Sequence, residues 1–252
     1  MEGIYREEFQ VTPAHVDCFG RAKPSSLLYF AQEAAGGHCR ELSLDWDTLA
    51  KRGLFWAILR YRVQITRLPL AGETITVETW PMPTTRSAFP RSTAAYDSEG
   101  RELFRIIGLW VLMDRENRTM LLPGKSGIDL PGVLRGNELS PPSSVLPALM
   151  TSQTLRRVGY CELDRNSHMN NTYYMNWIDD LLPAAFHKEH PMTEFVICYL
   201  SEALEGEEIT LNWQLSDGPV LQVEGHRSQT EVPVNRHGYS PQKSFIDSFY
   251  VN

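Results

Sequence analysis

Residues 11–35, VTPAHVDCFGRAKPSSLLYFAQEAA, and residues 158–182, VGYCELDRNSHMNNTYYMNWIDDLL, decide the fold, because one pattern is written twice. The offset of 147 residues that carries Val11 to Val158 also carries Asp17 to Asp164. Identities are few, but the apolar spacing repeats. Leu27, Phe30, Ala31, Ala34 and Ala35 fall at intervals of 3, 1, 3 and 1, as do Tyr174, Trp177, Ile178, Leu181 and Leu182. That is the stripe of a helix with one buried face. Pro24 suits the first position of the first helix, and Asn170 or Asn171 can cap the second.

A second match follows downstream. VQITRLPLAGETITV from Val63 aligns on ICYLSEALEGEEITL from Ile197, an offset of 134. Gly72/Gly206, Glu73/Glu207, Ile75/Ile209 and Thr76/Thr210 are identical pairs. A glycine and an acid between two apolar runs mark a turn joining strands. Strands are expected at 56–65, 74–80, 89–96 and 103–114 in the first half, and at 195–200, 209–215 and 220–225 in the second. DSEG (97–100) and SDGP (216–219) supply turns between the last pairs. The fold class is therefore α+β: two tandem units, each a long helix wrapped by an antiparallel sheet. The expected division is 1–136, a Pro/Ser-rich linker at 137–150, and 151–252. SQTEVPVNRHGYSPQK (228–243) reads as a surface loop, and the closing SFIDSFYV as a candidate last strand.

Composition excludes several classes. The 252 residues carry a formal charge of −7 without a strong basic cluster, which argues against a nucleic-acid surface. The first ten residues, MEGIYREEFQ, lack the apolar core of an export signal, and no apolar run approaches the roughly 20 residues of a membrane span. Cys18, Cys39, Cys161 and Cys198 have no CxxC spacing and read as reduced thiols in a cytosolic chain. No metal-ligand spacing and no Gly-rich phosphate loop is present, so neither a metal nor any other cofactor is expected.

The densest polar cluster is DRNSHMNNTYY, 164–174. Asp164, Asn166 and His168 alternate, so in an extended loop their side chains share one side. They precede a helix start, where free N–H groups favour developing negative charge. Such a set can polarise a carbonyl and activate water. The first half has Asp17, Phe19 and Arg21 at these places, and Leu68 where the second has Glu202. This asymmetry points to a single working site, in the second half.

DRNSHMNNTYYMNWI resembles the motif that leads into the helix of acyl-carrier-protein thioesterases. Its HxNNxxY portion also recurs in hot-dog thioesterases acting on coenzyme A esters. WAILRYRVQITRLPLAGETITVETWP and GLWVLMD in the first half are similar to the same carrier-protein family. The resemblance implies a pseudo-dimeric double hot-dog, with an N-terminal half that holds the acyl pocket and a catalytic C-terminal half. It implies hydrolysis of fatty acyl-acyl carrier protein, which ends fatty acid synthesis, and a partner bearing a phosphopantetheine-linked chain. The family's catalytic acid, amide, imidazole and glutamate fall on Asp164, Asn166, His168 and Glu202. Plant members commonly have cysteine after that glutamate; Ala203 stands here, which argues against a thiol nucleophile. Either Glu202 or Asp164 serves as base, with N–H groups around Asn170 and Asn171 for the oxyanion. Trp56, Met175 and Trp177 are candidates for limiting the acyl chain. Coenzyme A esters as substrate, a dehydratase and a non-catalytic acyl-binding protein are the rival readings, and monomer and homodimer are both open.

Overall fold

The computed structural model describes residues 3–142, 150–216 and 220–227, with the backbone of Phe249–Val251. Positions 143–149 of the linker, the turn at 217–219 and the loop at 228–243 lie outside the described residues. The first half runs β1 (Tyr5–Gln10), α1 (Pro24–Glu41), α2 (Trp46–Lys51), β2 (Leu54–Ile65), β3 (Thr74–Pro81), β4 (Phe89–Tyr96), β5 (Glu102–Asp114), β6 (Met120–Leu121) and α3 (Pro123–Ser126). The second runs β7 (Ser152–Arg157), α4 (Tyr173–Asp179), α5 (Ala184–Glu189), β8 (Glu194–Cys198), β9 (Glu208–Leu215), β10 (Leu221–Arg227) and β11 (Phe249–Val251).

All strands form one antiparallel sheet in the order β1-β3-β4-β5-β2-β8-β11-β10-β9-β7, with β6 on β5. Each half contributes the same sequence of strands, run in opposite directions from the join between β2 and β8. Arg62 faces Val196 there, and Val196 is its own counterpart at the offset of 134. A pseudo-twofold axis passes through that pair, and the fold is a double hot-dog. The anticipated closing strand is present as β11 beside β8. No helix among the described residues is long and apolar enough to cross a membrane.

Alternation explains the faces of the sheet. On β2, Tyr61, Val63 and Ile65 are buried against α1, whose Leu27, Phe30, Ala31, Ala34 and Ala35 are all buried as the stripe requires. Arg60 and Arg62, on the opposite face, hold the segment after α3: Arg62 donates to Ser140 Oγ at 2.8 Å and Arg60 to the carbonyl of Pro142. Arg135 adds an ion pair to Glu78 at 2.6 Å. The described part of the linker thus lies strapped across the outer face of the first half. Edge strands β1 and β7 lack the apolar alternation of interior strands: β7 presents Gln153, Leu155 and Arg157 outward and Ser152, Thr154 and Arg156 inward, and β1 mixes Glu7 with Tyr5 and Phe9 on its inner face.

The second helix departs from expectation. α4 has seven residues against eighteen in α1, and Leu181 and Leu182 are only half-buried beyond its end. Pro183 is the cause: it lacks an N–H, and its ring would meet the carbonyl of Asp179. The chain resumes as α5 in a new direction. The cap also differs: Thr172 precedes the helix, and Asn170 braces it by accepting from the Thr172 N–H and hydroxyl, each at 3.0 Å.

One turn recurs three times. Asp17, Asp97 and Asp164 each donate their N–H to the carbonyl four residues on, at 2.7, 3.0 and 2.7 Å. Each Oδ1 also accepts two backbone N–H groups: from Phe19 and Arg21, from Glu99 and Arg101, and from Asn166 and His168. The fourth residue needs positive φ, supplied by Gly20 (76°), Gly100 (78°) and, in the third turn, Ser167 (63°). The DRNSH loop is therefore a tight turn and not the extended segment that would align 164, 166 and 168. Asp17→Ala strands two N–H groups and is expected to cost about 1–3 kcal/mol by urea unfolding. An unchanged midpoint would refute the structural role assigned to this aspartate.

Candidate active site

The site forms where the DRNSH turn meets the strand exit after β8. The turn is sutured to residues 203–204 by a bridge between His168 and Leu204 and by the Met169 N–H donating to the Ala203 carbonyl at 2.8 Å. The same bridge joins Arg21 to Leu70 in the first half, so it belongs to the repeat. Residue 202 is thereby held beside residue 168. Glu202 Oε2 lies 3.2 Å from His168 Nε2, with the imidazole buried and the carboxylate facing open space.

A third group, absent from the sequence reading, completes this pair. Arg118, at positive φ (52°) in the turn between β5 and β6, sits 2.9 Å from Glu202 Oε2, contacts His168 Nε2 and lies over the Phe55 ring at 5.4 Å. One imidazole nitrogen cannot serve both neighbours. Protonated, Nε2 donates to Glu202; unprotonated, it accepts from Arg118. Burial pushes the pKa of His168 below its ordinary value, with Glu202 and Asp164 opposing that shift and Arg118 adding to it. The ring is neutral at pH 7.

Asn166 is fixed by the first half as well. Its Oδ1 accepts from Trp46 Nε1 at 2.9 Å. Indole N–H only donates, so the amide oxygen must face it, and the amide nitrogen turns to Asp164 Oδ2, 3.5 Å away. Arg165 stacks on the same indole at 4.0 Å and Arg115 at 5.0 Å; Arg165, which borders the cavity, is also paired with Asp47 at 3.1 Å. Trp46 and Arg118 left no trace in the repeat comparison, since neither has a motif and both reach the site only through space.

The other expected positions divide. Asp164 Oδ1 is committed to its turn, as Asp17 Oδ1 is, and its Oδ2 faces the Asn166 amide nitrogen at 3.5 Å. The Asn170 N–H donates to the Glu162 carbonyl at 2.8 Å and is not available to an oxyanion. The Asn171 N–H has no hydrogen-bond partner among the described residues, and Asn171 lines the cavity. Its side-chain amide donates to Gln32 on α1 at 3.0 Å, while Tyr199 OH holds its carbonyl at 2.9 Å. With only seven residues, α4 contributes little macrodipole, so individual donors matter more than the helix.

His168, Glu202 and Asn166 open on a cavity of about 2170 Å³. It runs between the halves, along one flank of α1 and past Phe55, Trp56, Phe89 and Trp110. A bulge at Leu59 interrupts the pairing of β2 with β5, and the Leu59 carbonyl accepts the Tyr199 N–H at 2.8 Å, steering the chain toward Glu202. Trp56 lines this cavity, edge-on to Phe89 at 5.1 Å. Met175 and Trp177 do not line it, correcting the sequence expectation. Met175 is fully buried in the core, and Trp177 donates to Glu162 Oε1 at 2.7 Å; their positions on α4 face the sheet and not the opening. The equivalent cleft of the first half measures about 420 Å³ and is lined by Phe19, Arg21 and Leu68 in place of amide, imidazole and glutamate. Arg21 is tied there to Asp17 at 3.1 Å and to the His187 carbonyl at 2.9 Å.

A double hot-dog with a carboxylate–imidazole pair opening on a large cavity defines the class: a hot-dog protein whose polar site lies in one of two halves. Family comparison agrees in both halves. The model of the acyl-ACP thioesterase N-terminal domain matches residues 2–122, and that of the C-terminal domain matches residues 150–244. The chain belongs to the acyl-ACP thioesterase family. It is 23% identical over 214 residues to a palmitoyl-acyl carrier protein thioesterase of Gossypium hirsutum, covering 79% of this chain and 52% of the relative. A dodecanoyl-[acyl-carrier-protein] hydrolase of Cinnamomum camphora is 26% identical over 218 residues, covering 79% and 56%. The chain thus spans about half the length of the curated relatives it matches. Among solved structures, an acyl-ACP thioesterase from Bacteroides thetaiotaomicron superposes with a TM-score of 0.82 at 20% identity, covering 98% of this chain and 96% of that one. The 12:0-ACP thioesterase from Umbellularia californica gives 0.79 at 20% identity, covering 98% and 96%.

The charges around His168 give a test with opposite signs. Followed by NMR, the His168 titration is expected below pH 6.5. It should fall further in Glu202→Gln and rise in Arg118→Met. Shifts of the same sign in both variants would show that the triangle of charges does not exist in solution.

Proposed function

We propose that this chain hydrolyses the thioester of a fatty acyl-acyl carrier protein, releasing the free fatty acid and so ending fatty acid synthesis. The observation that carries this reading is the Glu202 carboxylate 3.2 Å from the His168 imidazole, at the opening of a cavity shaped for an acyl chain. Glu202 accepts a proton from a water molecule as its oxygen bonds to the thioester carbonyl carbon. Arg118 pairs with the carboxylate at 2.9 Å, and neutral His168 orients it. The oxyanion is met by the Asn171 N–H and by the second N–H of the Asn166 amide, whose oxygen Trp46 holds and whose nitrogen also meets Asp164 Oδ2. Collapse of the tetrahedral intermediate breaks the carbon–sulfur bond, and the proton held by Glu202 passes to the departing sulfur. Asp164 shapes the turn that presents Asn166 and His168. Each group is thus assigned one task, and the acid, amide and imidazole work in the C-terminal half with two supports from the N-terminal one.

The partner is read as an acyl carrier protein whose phosphopantetheine arm enters past Arg115 and Arg165, whose guanidinium charge suits a phosphate. The boundaries 1–136, 137–150 and 151–252 and a cytosolic setting complete the reading without bearing on its test, and it accommodates a monomer or a homodimer.

Glu202→Gln and His168→Ala are each expected to lower kcat about 100- to 1000-fold, with KM little changed. Activity of either variant within a few-fold of wild type would remove that residue from the mechanism. Matched acyl groups on carrier protein and on coenzyme A test the substrate, and a higher kcat/KM on coenzyme A would reject the carrier assignment. Trp46→Phe leaves a smaller aromatic ring and deletes the hydrogen bond to Asn166, so kcat should fall roughly 3- to 10-fold. No loss would mean that Asn166 needs no such restraint.

A further inference from the structure

Far from Glu202, the same cavity contains a cation that the reaction does not use. Arg91 on β4 is 9% exposed and lines the cavity. Its Nη1 meets His38 Nδ1 and Thr79 Oγ1, each at 3.2 Å. Burial and the guanidinium itself push His38 down to about 4, so this imidazole is a neutral acceptor. Nε and Nη2 of Arg91 have no hydrogen-bond partner among the described residues. The groups that act on it electrostatically are Cys39 and Tyr61, and neither is a carboxylate. A buried guanidinium without a counter-charge is costly, and one whose spare donors border a cavity is built to meet something inside it.

The position of Arg91 fixes the depth. Arg91 pairs with Gly108 on β5, whereas Phe55, whose ring lies 6.5 Å from that of His168, pairs with Met113. Five residues of strand separate the two levels, roughly 17 Å at about 3.4 Å per residue. An extended chain of on the order of a dozen carbons covers that distance, at about 1.25 Å along the axis for each 1.5 Å bond. Arg40, exposed on the last turn of α1, lines the cavity and acts on Cys39 together with Arg91, so the remote end holds two guanidinium groups. Asp45 also acts on Cys39, but its oxygens accept from the Asp47 and Thr48 N–H groups and the Thr48 hydroxyl as the cap of α2.

We propose that Arg91 makes this cavity selective for an acyl chain whose far end bears a hydrogen-bond-accepting oxygen, a carboxylate above all, in preference to a plain methyl end. The spare donors Nε and Nη2 form the two-pronged fork that a carboxylate fits. A hydroxyl end would satisfy one prong. The proposal rests on the thioesterase reading only in taking the cavity as the acyl site.

The test separates the two. Acyl-pantetheine amides, which cannot be hydrolysed, are made at equal length with a methyl, hydroxyl or carboxylate end, and their Kd is measured by calorimetry. Wild type is expected to bind the carboxylate probe about 10- to 100-fold more tightly than the methyl probe. Arg91→Met, which exchanges a buried charge for an apolar chain of similar length, should abolish that difference while binding the methyl probe at least as well. Arg91→Lys should keep part of it. A preference for the hydroxyl probe that disappears in Arg91→Met would assign the acceptor to an alcohol and still uphold the selective role. A methyl preference in wild type, or an end-group preference that persists in Arg91→Met, overturns the proposal. Turnover of a plain acyl-carrier thioester is followed in parallel. Its absence would count against the thioesterase reading, while turnover without end-group selectivity would overturn only the role of Arg91.

Discussion

The antiparallel join of β2 to β8 governs the molecule. Pairing Arg62 with its own counterpart, Val196, makes one sheet of two halves and fixes their relation about a pseudo-twofold axis. Everything at the site follows from that register. β8 lies on β2 and β2 on β5, so the strand exit that carries Glu202 comes to rest beside the turn at the end of β5 that carries Arg118. The Leu59 bulge, whose carbonyl receives the Tyr199 N–H, sets the angle of approach. A register slip of one residue would turn Tyr61 and Val63 out of the core and Arg60 and Arg62 into it.

Symmetry then makes the differences informative. The Asp-centred turn occurs at 17, 97 and 164 with the same four backbone hydrogen bonds. In the first two copies an arginine closes back on the aspartate, through Nε to Oδ2. In the third, histidine takes that place, is too short to fold back in the same way, and faces Glu202 instead. The site is thus a structural turn in which the closing residue has been redirected. Asp164 makes the same turn-forming hydrogen bonds as Asp17 and Asp97.

The electrostatic design balances a buried neutral imidazole against an ion pair. His168 is held neutral by burial, while Arg118 and Glu202 partly cancel at its Nε2. The Glu202 carboxylate pairs with a guanidinium and borders the cavity. At the other end of the cavity Arg91 has no carboxylate hydrogen-bond partner among the described residues, whereas Arg118 is paired with Glu202.

Much of this was legible in the chain alone. The repeat offsets of 147 and 134 predicted two α+β units, and most interior strands fell within a residue or two of their expected limits, because alternation and helical stripes are local consequences of which face is buried. The substitution of Phe19, Arg21 and Leu68 for Asn166, His168 and Glu202 located the polar site in one half by comparison of equivalent places. What the sequence could not supply was every feature set by contacts between distant segments. Pro183 stood in plain view, yet the helical stripe running past Asp179 hid the break. Trp46 and Arg118 belong to the site because one sheet brings residues from three separate segments to one edge of a cavity. Met175 and Trp177 left it because the short α4 turns them into the core. Periodicity tells which residues are buried; only the packed sheet decides what they are buried against.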